Sequence, residues 1–479
     1  MDWKDRMTDW FRLAFFYGDN WISILGGILT TGTGFTLLWS WFRELASPHS
    51  ASPYVGILLF ILLPVVFLVG LVMMPLGMWL RFRKMRKAGT APEVTPKVDL
   101  TSRHIRKVLT MVAIATGLNI ALLGVATVRG VEYMDSSKFC GLTCHTPMIM
   151  EYRAFADSPH SRVGCAQCHI GPGVDSFFAA KMAGVRQLFG VVFNNYHRPI
   201  PSPVESLRPA KETCEACHWP QKFHGNQILV RNHYLDDEGN TPSITVLMLK
   251  IGGRSGEQNT GIHGRHIDTS ERISYVATDE RRQNIVKVTY RDDKGNLVEY
   301  FGGEAKEGEK PRPERKMDCV DCHNRPTHAF ESPEWAIDHR ITKGMISREL
   351  PFIKKKAVEL LKVPYRTQAE GAAAIAKGIV DFYQTSYPAL YRDKKALVDA
   401  AAAGVQDAYT RNVYPEMKLT WGTHPNQIGH QEGGCFRCHD GSHSTKDGSK
   451  TIAADCDSCH TILAQDDPDP KILKDLGTR

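Results

Sequence analysis

Every cysteine in this 479-residue chain belongs to a pair, and every pair is followed at once by a histidine. The pairs are Cys140/Cys144, Cys165/Cys168, Cys214/Cys217, Cys319/Cys322, Cys435/Cys438 and Cys456/Cys459; the histidines are His145, His169, His218, His323, His439 and His460. Histidine is 19 of 479 residues. Six matches in six by chance would come at odds on the order of a few in a billion, whereas c-type haem attachment requires this triplet. Two thiols add to the two vinyl groups of one haem, and the adjoining imidazole is then held beneath the iron as an axial ligand. Zinc knuckles would use the cysteine pairs two at a time with no need for the histidine. Disulfides would leave the histidines unexplained. Five pairs have the C-x-x-C-H spacing; the first carries one extra residue, Cys140-Gly-Leu-Thr-Cys144-His145. Six covalent haems fill core volume, so a thin, loop-rich fold becomes affordable for a chain this long.

Three apolar runs precede the first motif. Trp21 to Phe42 and Tyr54 to Leu80 are long enough to cross the roughly 30 Å hydrocarbon layer of a bilayer, and Val108 to Val128 just spans it. The second runs without a charge, and Trp10, Phe11, Trp21, Trp39 and Trp41 are candidate interface anchors for the first. Nine Lys or Arg lie in the segment 81–107, against Arg43 alone in 43–53. This places 81–107 and the N-terminus in the cytoplasm and everything after Val128 outside, where covalent haem attachment also belongs. The opening of the chain lacks the pattern of a cleaved signal peptide. A formal charge of +7 is explained by that basic segment and offset by haem propionates, so nucleic-acid binding is excluded. The spans contain no histidine, His49 and His104 being in loops, so no b-type haem sits inside the bilayer.

From Val131 the chain enters two motifs at once, with Met148 and His160 between them, and the fourth motif reads Cys319-Val-Asp-Cys322-His323-Asn-Arg-Pro-Thr-His328. In these features, over roughly 105–225 and 315–330, the chain resembles the NapC/NirT/NrfH family of membrane-anchored multihaem quinol dehydrogenases. The resemblance implies that Met148 ligates the first haem, with His145 as the alternative, that His160 is the distal ligand of the fourth and that His328 is that of the third. It also implies a lysine on the distal side of the second haem. Lys181 in FFAAKMAGVRQLFG is the candidate, with Met182 and His197 as rivals. The quinol site implied by the resemblance involves Lys181, Met148 and the position of Gln187, where the family keeps an acidic residue. The glutamine leaves the proton-accepting group open.

Residues 226–310 carry no cysteine. Their β-branched runs ILVRNHYL, SITVLMLKI, RISYVATD and NIVKVTY, with turns at DDEGN and DDKGN, predict a small antiparallel sheet. His233, His263 and His266 fall here, and GIHGRH is read three ways, as a source of a distal ligand, a lining for a partner site, or surface and structural histidines. From Pro333 to Leu419 apolar residues recur at helical spacing, broken at Pro364 and Pro388, which predicts a helical scaffold. The C-terminal pair of motifs has His430 and His443 as expected distal ligands, with His424 in reserve. His443 lies four residues past His439, too close to reach around the same haem.

The expected fold is therefore a membrane-anchored multihaem cytochrome c with three transmembrane helices, followed by a mainly α, loop-rich extracytoplasmic haem domain with a small antiparallel β insertion. The expected division is an anchor over 1–130, a four-haem core over 131–225 and 311–330, the insertion over 226–310, a helical spacer over 331–420 and a two-haem segment over 421–479. This plan resembles larger inner-membrane cytochromes of metal-reducing bacteria. The expected function is oxidation of membrane quinol at the outer face of the inner membrane, with electrons passed through six haem c groups to a periplasmic cytochrome or reductase. The partners are then the quinone pool and the lipid bilayer, with no nucleic acid and with oligomerisation left open. An electron-transfer subunit of a larger complex, and a terminal reductase of a small oxyanion, are the alternatives.

Overall fold

The computed structural model describes residues 16–46, 62–91, 103–143, 145–171, 174–203, 209–219, 225–255, 258–267, 272–292, 294–303, 310–430 and 432–477. It forms two compact units, Met1–His145 and Thr146–Arg479. The division places the first cysteine pair with the helical unit instead of with the region expected to begin at 131.

Three long helices fall on the apolar runs: α1 (Trp21–Ala46), α2 (Leu63–Lys87) and α3 (Arg103–Met134). Among the described residues, α2 is long and apolar enough to cross a membrane; the start of its expected run, 54–61, lies outside the described residues, as do Trp10 and Phe11. Helix α2 also continues past the expected end at Leu80, so Arg81, Arg83, Lys84, Arg86 and Lys87 are helical and not part of a loop. The reason is local. RFRKMRK consists largely of good helix formers, cations favour the C-terminal end of the helix dipole, and Arg83 lies over the Trp79 ring at 4.6 Å.

Small residues let α1 and α2 approach closely. A Cβ at Gly70 would come 2.6 Å from Thr30 Oγ1, and one at Gly77 2.5 Å from Ser23 Oγ. The Ser23 hydroxyl donates to Met74 O of the facing helix at 2.8 Å.

In the second unit, α4 (His145–Ala156) leads from the first motif, and α5 (Val174–Val192) follows the second. The insertion then supplies β1 (Gln227–Tyr234) and β2 (Pro242–Leu249), paired antiparallel from Gln227↔Leu249 to Tyr234↔Pro242. The Asp237 carboxylate closes their turn by accepting from Thr241 N at 2.9 Å and Thr241 Oγ1 at 2.7 Å. A short hairpin, β3 (Gly253–Ser255) and β4 (Gln258–Thr260), runs into α6 (Gly261–His266). Strands β5 (Ile273–Ala277), β6 (Ile285–Arg291), β7 (Leu297–Phe301) and β8 (Arg315–Lys316) form a second sheet in the order β7-β6-β5-β8.

The insertion is not self-contained. Its first sheet has the order β1-β2-β9, where β9 (His460–Asp467) begins at the histidine of the sixth motif. The exposed edge of β2 is thereby paired by the C-terminal segment.

The scaffold consists of α7 (Pro333–Thr342), α8 (Ile353–Leu361), α9 (Gln368–Ser386) and α10 (Lys395–Asn412). Ser332 caps α7 by accepting from Trp335 N, and Thr367 caps α9 by accepting from Glu370 N, both side chains satisfying an N–H that the helix cannot. Ile337, Ile353, Ile375, Ile379, Val398 and Val405 meet in one fully buried core. Lys354 of α8 is buried against Asp338 of α7 at 2.7 Å, and Asp338 also contacts His233 of β1 at 2.5 Å. Each buried charge is paired, and the first sheet is fastened to the helices. The scaffold does not hold the C-terminal motifs away from the four-motif core: Arg437 of the fifth motif donates to Asp321 O of the fourth.

Candidate haem centres

Each C-x-x-C-H motif folds as a single tight turn. The His218 N–H reaches Cys214 O at 2.7 Å, that of His323 reaches Cys319 O at 2.8 Å and that of His439 reaches Cys435 O at 3.0 Å; Cys165–His169 is a helical turn in its own right. Residues three apart on a turn share a face, so both thiols point the same way with the histidine next to them. The extra residue of the first motif is absorbed by a wider π-helical turn, Phe139–Thr143, a local expansion of the helix by one residue per turn.

The fourth motif has the most elaborate frame. Asp318 accepts from Cys319 N at 2.6 Å while Asp321 accepts from Asp318 N at 2.7 Å. Asp321, buried between the two cysteines, also accepts from Tyr275 Oη at 2.7 Å, Arg315 Nε at 3.1 Å and Arg282 Nη1 at 3.2 Å. Cys319, Cys322, Cys435, Cys438, Cys456 and Cys459 carry no disulfide, so both thiols of each of these pairs are available for thioether bonds.

Five motif histidines stand ring to ring with a histidine from elsewhere in the chain. The centroid separations are 6.2 Å for His169 and His328, 5.9 Å for His218 and His160, 6.3 Å for His323 and His263, 5.9 Å for His439 and His266, and 6.3 Å for His460 and His430. A ligating imidazole nitrogen lies about 2.0–2.1 Å from its metal and the ring centroid about 1.1 Å further back, so rings trans across one iron stand roughly 6.3 Å apart. The residues present fit haem iron.

Three of these rings have the outer nitrogen occupied in the manner of metal ligands, whose second ring N–H bonds a carbonyl or carboxylate. The Nδ1 atom of His328 faces Glu151 O at 3.0 Å, that of His266 faces Ile262 O at 2.8 Å and that of His439 faces Ala453 O at 2.5 Å. Burial lowers His169, His263, His266 and His323 from the usual imidazole range, His263 to about 4, which favours the neutral ring, the form that binds a metal.

Successive motifs are also neighbours. Cys168 lies near Cys214 and Cys217, Cys214 near Cys319, Cys322 near Cys435, and Cys435 near Cys459. From the second to the sixth, the motifs are arrayed in chain order.

This geometry differs from the expected partners. His328 faces the second motif, not the third, because Glu151 of α4 grips its ring. His160 faces the third motif, not the fourth, its Nδ1 lying 3.4 Å from Pro326 O. With His328 opposite His169, a histidine already stands across from that of the second motif. Met182 and His197 are exposed, and the side chain of Lys181 lies outside the described residues.

His443 has no nitrogen left for a metal, since Nδ1 contacts Asp440 Oδ1 at 3.0 Å and Nε2 contacts Ile285 O at 3.1 Å. Its ring is packed so tightly on Gly302 that a Cβ there would lie 2.6 Å away. His424 is buried against Phe330, and burial, with Arg325 and Arg281 nearby, lowers it to about 4. His430, by contrast, does face a C-terminal motif. The two histidines whose role was left open, His263 and His266, face the fourth and fifth; their spacing of three in GIHGRH, one helical turn, is the signal that points to them.

Around the first motif, Met148 is half-buried on α4, and the side chains of Cys144 and His145 lie outside the described residues. Gln187 is exposed on α5, on the face opposite an uncovered apolar stripe of Met182, Val185, Phe189 and Val192.

Residues 101–200 match the NapC/NirT cytochrome c family, N-terminal region. Over 434 residues, 88% of this chain and 85% of the relative, the sequence is 40% identical to the cytochrome c-type protein ImcH of Geobacter sulfurreducens. No solved structure matches.

Proposed function

Starting from a chain that belongs to the NapC/NirT cytochrome c family, we propose that it is a hexahaem quinol dehydrogenase of the inner membrane, delivering electrons to a periplasmic acceptor. Covalent haem c and electron transfer come with the family. The count of six rests on the six motifs, and the observation that carries the reading is the set of five histidine pairs at iron-spanning distance. His169 and His328 would hold the second iron, His218 and His160 the third, His323 and His263 the fourth, His439 and His266 the fifth, and His460 and His430 the sixth. Met148 or His145 would serve the first.

Haem c supplies one-electron chemistry at each iron. The chain's own residues do the rest. The motif turns would hold each haem by its two thiols, the outer-nitrogen bonds of His328, His266 and His439 orient those rings, and the proximity of successive motifs would order the relay along the chain toward Cys456 and Cys459. Five motifs have a facing histidine, and for the first the resemblance supplies Met148. That weighs against a terminal reductase, which needs an open iron within the relay.

In this reading all three helices α1, α2 and α3 span the bilayer, with the basic end of α2 inside. The first motif then emerges at the outer surface, where quinol arrives. The uncovered stripe of α5 suits the lipid boundary, an apolar helix face of the kind that lies in a membrane interface. Met148, Lys181 and Gln187 mark the quinol site. Gln187 holds no exchangeable charge, so the quinol protons leave to water or to another base.

The test is reduction of the purified, lipid-reconstituted protein by menadiol, followed at the haem absorbance bands. Rapid reduction is expected. A protein that stays oxidised with menadiol, yet reduces fully with dithionite, would be an electron-transfer subunit lacking its own quinol site.

A further inference from the structure

The four-motif resemblance has no use for the 226–310 insertion, yet the insertion is where the fourth and fifth motifs find their facing histidines. Both come from α6. Three residues apart, His263 and His266 share a face of one turn, and they look to different motifs: His263 to His323 at 6.3 Å with the rings inclined by 30°, His266 to His439 at 5.9 Å and 55°.

The turn is held from outside itself. The Ile262 N–H donates to Lys250 O at 2.9 Å and the His263 N–H to Ile251 O at 2.8 Å, while the Lys250 N–H donates to Cys459 O of the sixth motif at 2.8 Å. Entry into α6 passes through Gly261 at φ +66°, where a Cβ would lie 2.5 Å from Lys250 O; only glycine accepts both that conformation and that approach. On the far side, Arg437 of the fifth motif donates to Asp321 O of the fourth and to Arg282 O at 2.9 Å, which locks the two motifs together beneath the helix. The Nδ1 atom of His266 is spent on Ile262 O, so Nε2 is the nitrogen it presents.

We propose that α6 is a two-iron clamp: His263 ligates the iron of the fourth motif and His266 that of the fifth, so that the β-rich insertion joins the family-like core to the C-terminal pair as one continuous relay. The clamp rests on the hexahaem reading. It assigns the insertion a purpose, since the sheets hold one six-residue turn in register with two attachment motifs that are far apart in the chain.

The experiment uses the full-length holoprotein in detergent, as wild type, His263→Met, His266→Met and the double variant. Haem per chain is counted by pyridine haemochrome absorbance, and near-infrared magnetic circular dichroism separates His/His from His/Met ligation. Thioether attachment is untouched, so the haem count stays at its wild-type value. Each single variant converts one His/His centre to His/Met, and the double variant converts two. A wild-type count below six haems overturns the clamp together with the reading beneath it. Six haems with an unchanged His/His band in both single variants overturns the clamp alone. As a control on folding, His266→Gly is titrated with free imidazole: return of one low-spin His/His-type centre supports the assignment, and no return overturns it.

Discussion

The contact most open to quantitative test is the one that orients His328. Glu151 Oε2 stands 3.2 Å from its Nδ1, and Arg325 Nη2 holds the other carboxylate oxygen at 3.3 Å. An iron on Nε2 would lie about 4 Å beyond Nδ1, so the carboxylate charge acts from roughly 7 Å. At an effective dielectric constant of about 20 that is about 2.4 kcal/mol in favour of the ferric state. Glu151→Gln removes the charge and keeps the shape, and the Glu151 O bond at 3.0 Å keeps the ring in place. One component of the redox titration is therefore expected to rise by on the order of 100 mV, with ~59 mV per 1.4 kcal/mol for one electron. Arg325→Met is expected to move the same component downward, and the double variant to fall between. Protein-film voltammetry or optical titration of the holoprotein reads all three. The reasoning is refuted if Glu151→Gln leaves every component in place, or lowers one.

Four further outcomes are expected. Asp321→Ala strips a buried carboxylate from Arg282, Arg315 and Tyr275 and is expected to destabilise the second unit by about 3–5 kcal/mol, read as a lowered thermal midpoint and as loss of haem from the fourth motif. His443→Gln is expected to lower stability by about 1–3 kcal/mol through unpaired polar groups, while the near-infrared ligand bands stay unchanged. Gly70→Leu is expected to separate α1 from α2 and lower extraction yield from membranes, because no side chain fits against Thr30. Glu331 provides a pH test: burial alone would raise its carboxyl, but bonds from His339 and from Arg340 at 3.0 Å outweigh burial and hold it at about 2. A depressed carboxylate stabilises the fold above its unfolded value of 4.5 and loses that contribution as pH falls toward 2, a loss of roughly 3 kcal/mol. Chemical denaturation between pH 5 and pH 2 is expected to show that slope in wild type and a flatter one in Glu331→Gln.

What could be read from the chain divides along a physical line. Attachment chemistry is local: two thiols and an imidazole must sit on one turn, so Cys319-Val-Asp-Cys322-His323 declares itself without any knowledge of the fold. The apolar runs locate the three helices, but apolarity does not mark where they end: RFRKMRK extends α2 to Lys87 because Arg, Lys and Met are good helix formers. Distal partners are different, because tertiary contact alone decides them. His443 looked promising through nearness to a motif, yet Asp440 and Ile285 consume both of its nitrogens. The resemblance pairs His328 with the third motif, and nothing in its own segment reveals that its ring stands opposite His169 with Glu151 of α4 at its outer nitrogen.

The same division makes the insertion the least legible part of the chain. Strand patterning predicted β-structure, but period-two alternation cannot say that β9, beginning at His460, completes the first sheet, or that β2 ends where Lys250 can bond Cys459. Those pairings carry the argument. A free-standing sheet would leave GIHGRH on a mobile hairpin, and an axial ligand on a mobile hairpin would be exchangeable. Tying β2 to the sixth motif and α6 to β2 removes that freedom, so the rigidity needed for ligation at the fourth and fifth motifs is supplied by the sixth. The C-terminal motifs are thus structural partners of the insertion. Deleting 421–479 is accordingly expected to disturb ligation at the fourth motif, which a simple tail of extra haems would leave intact.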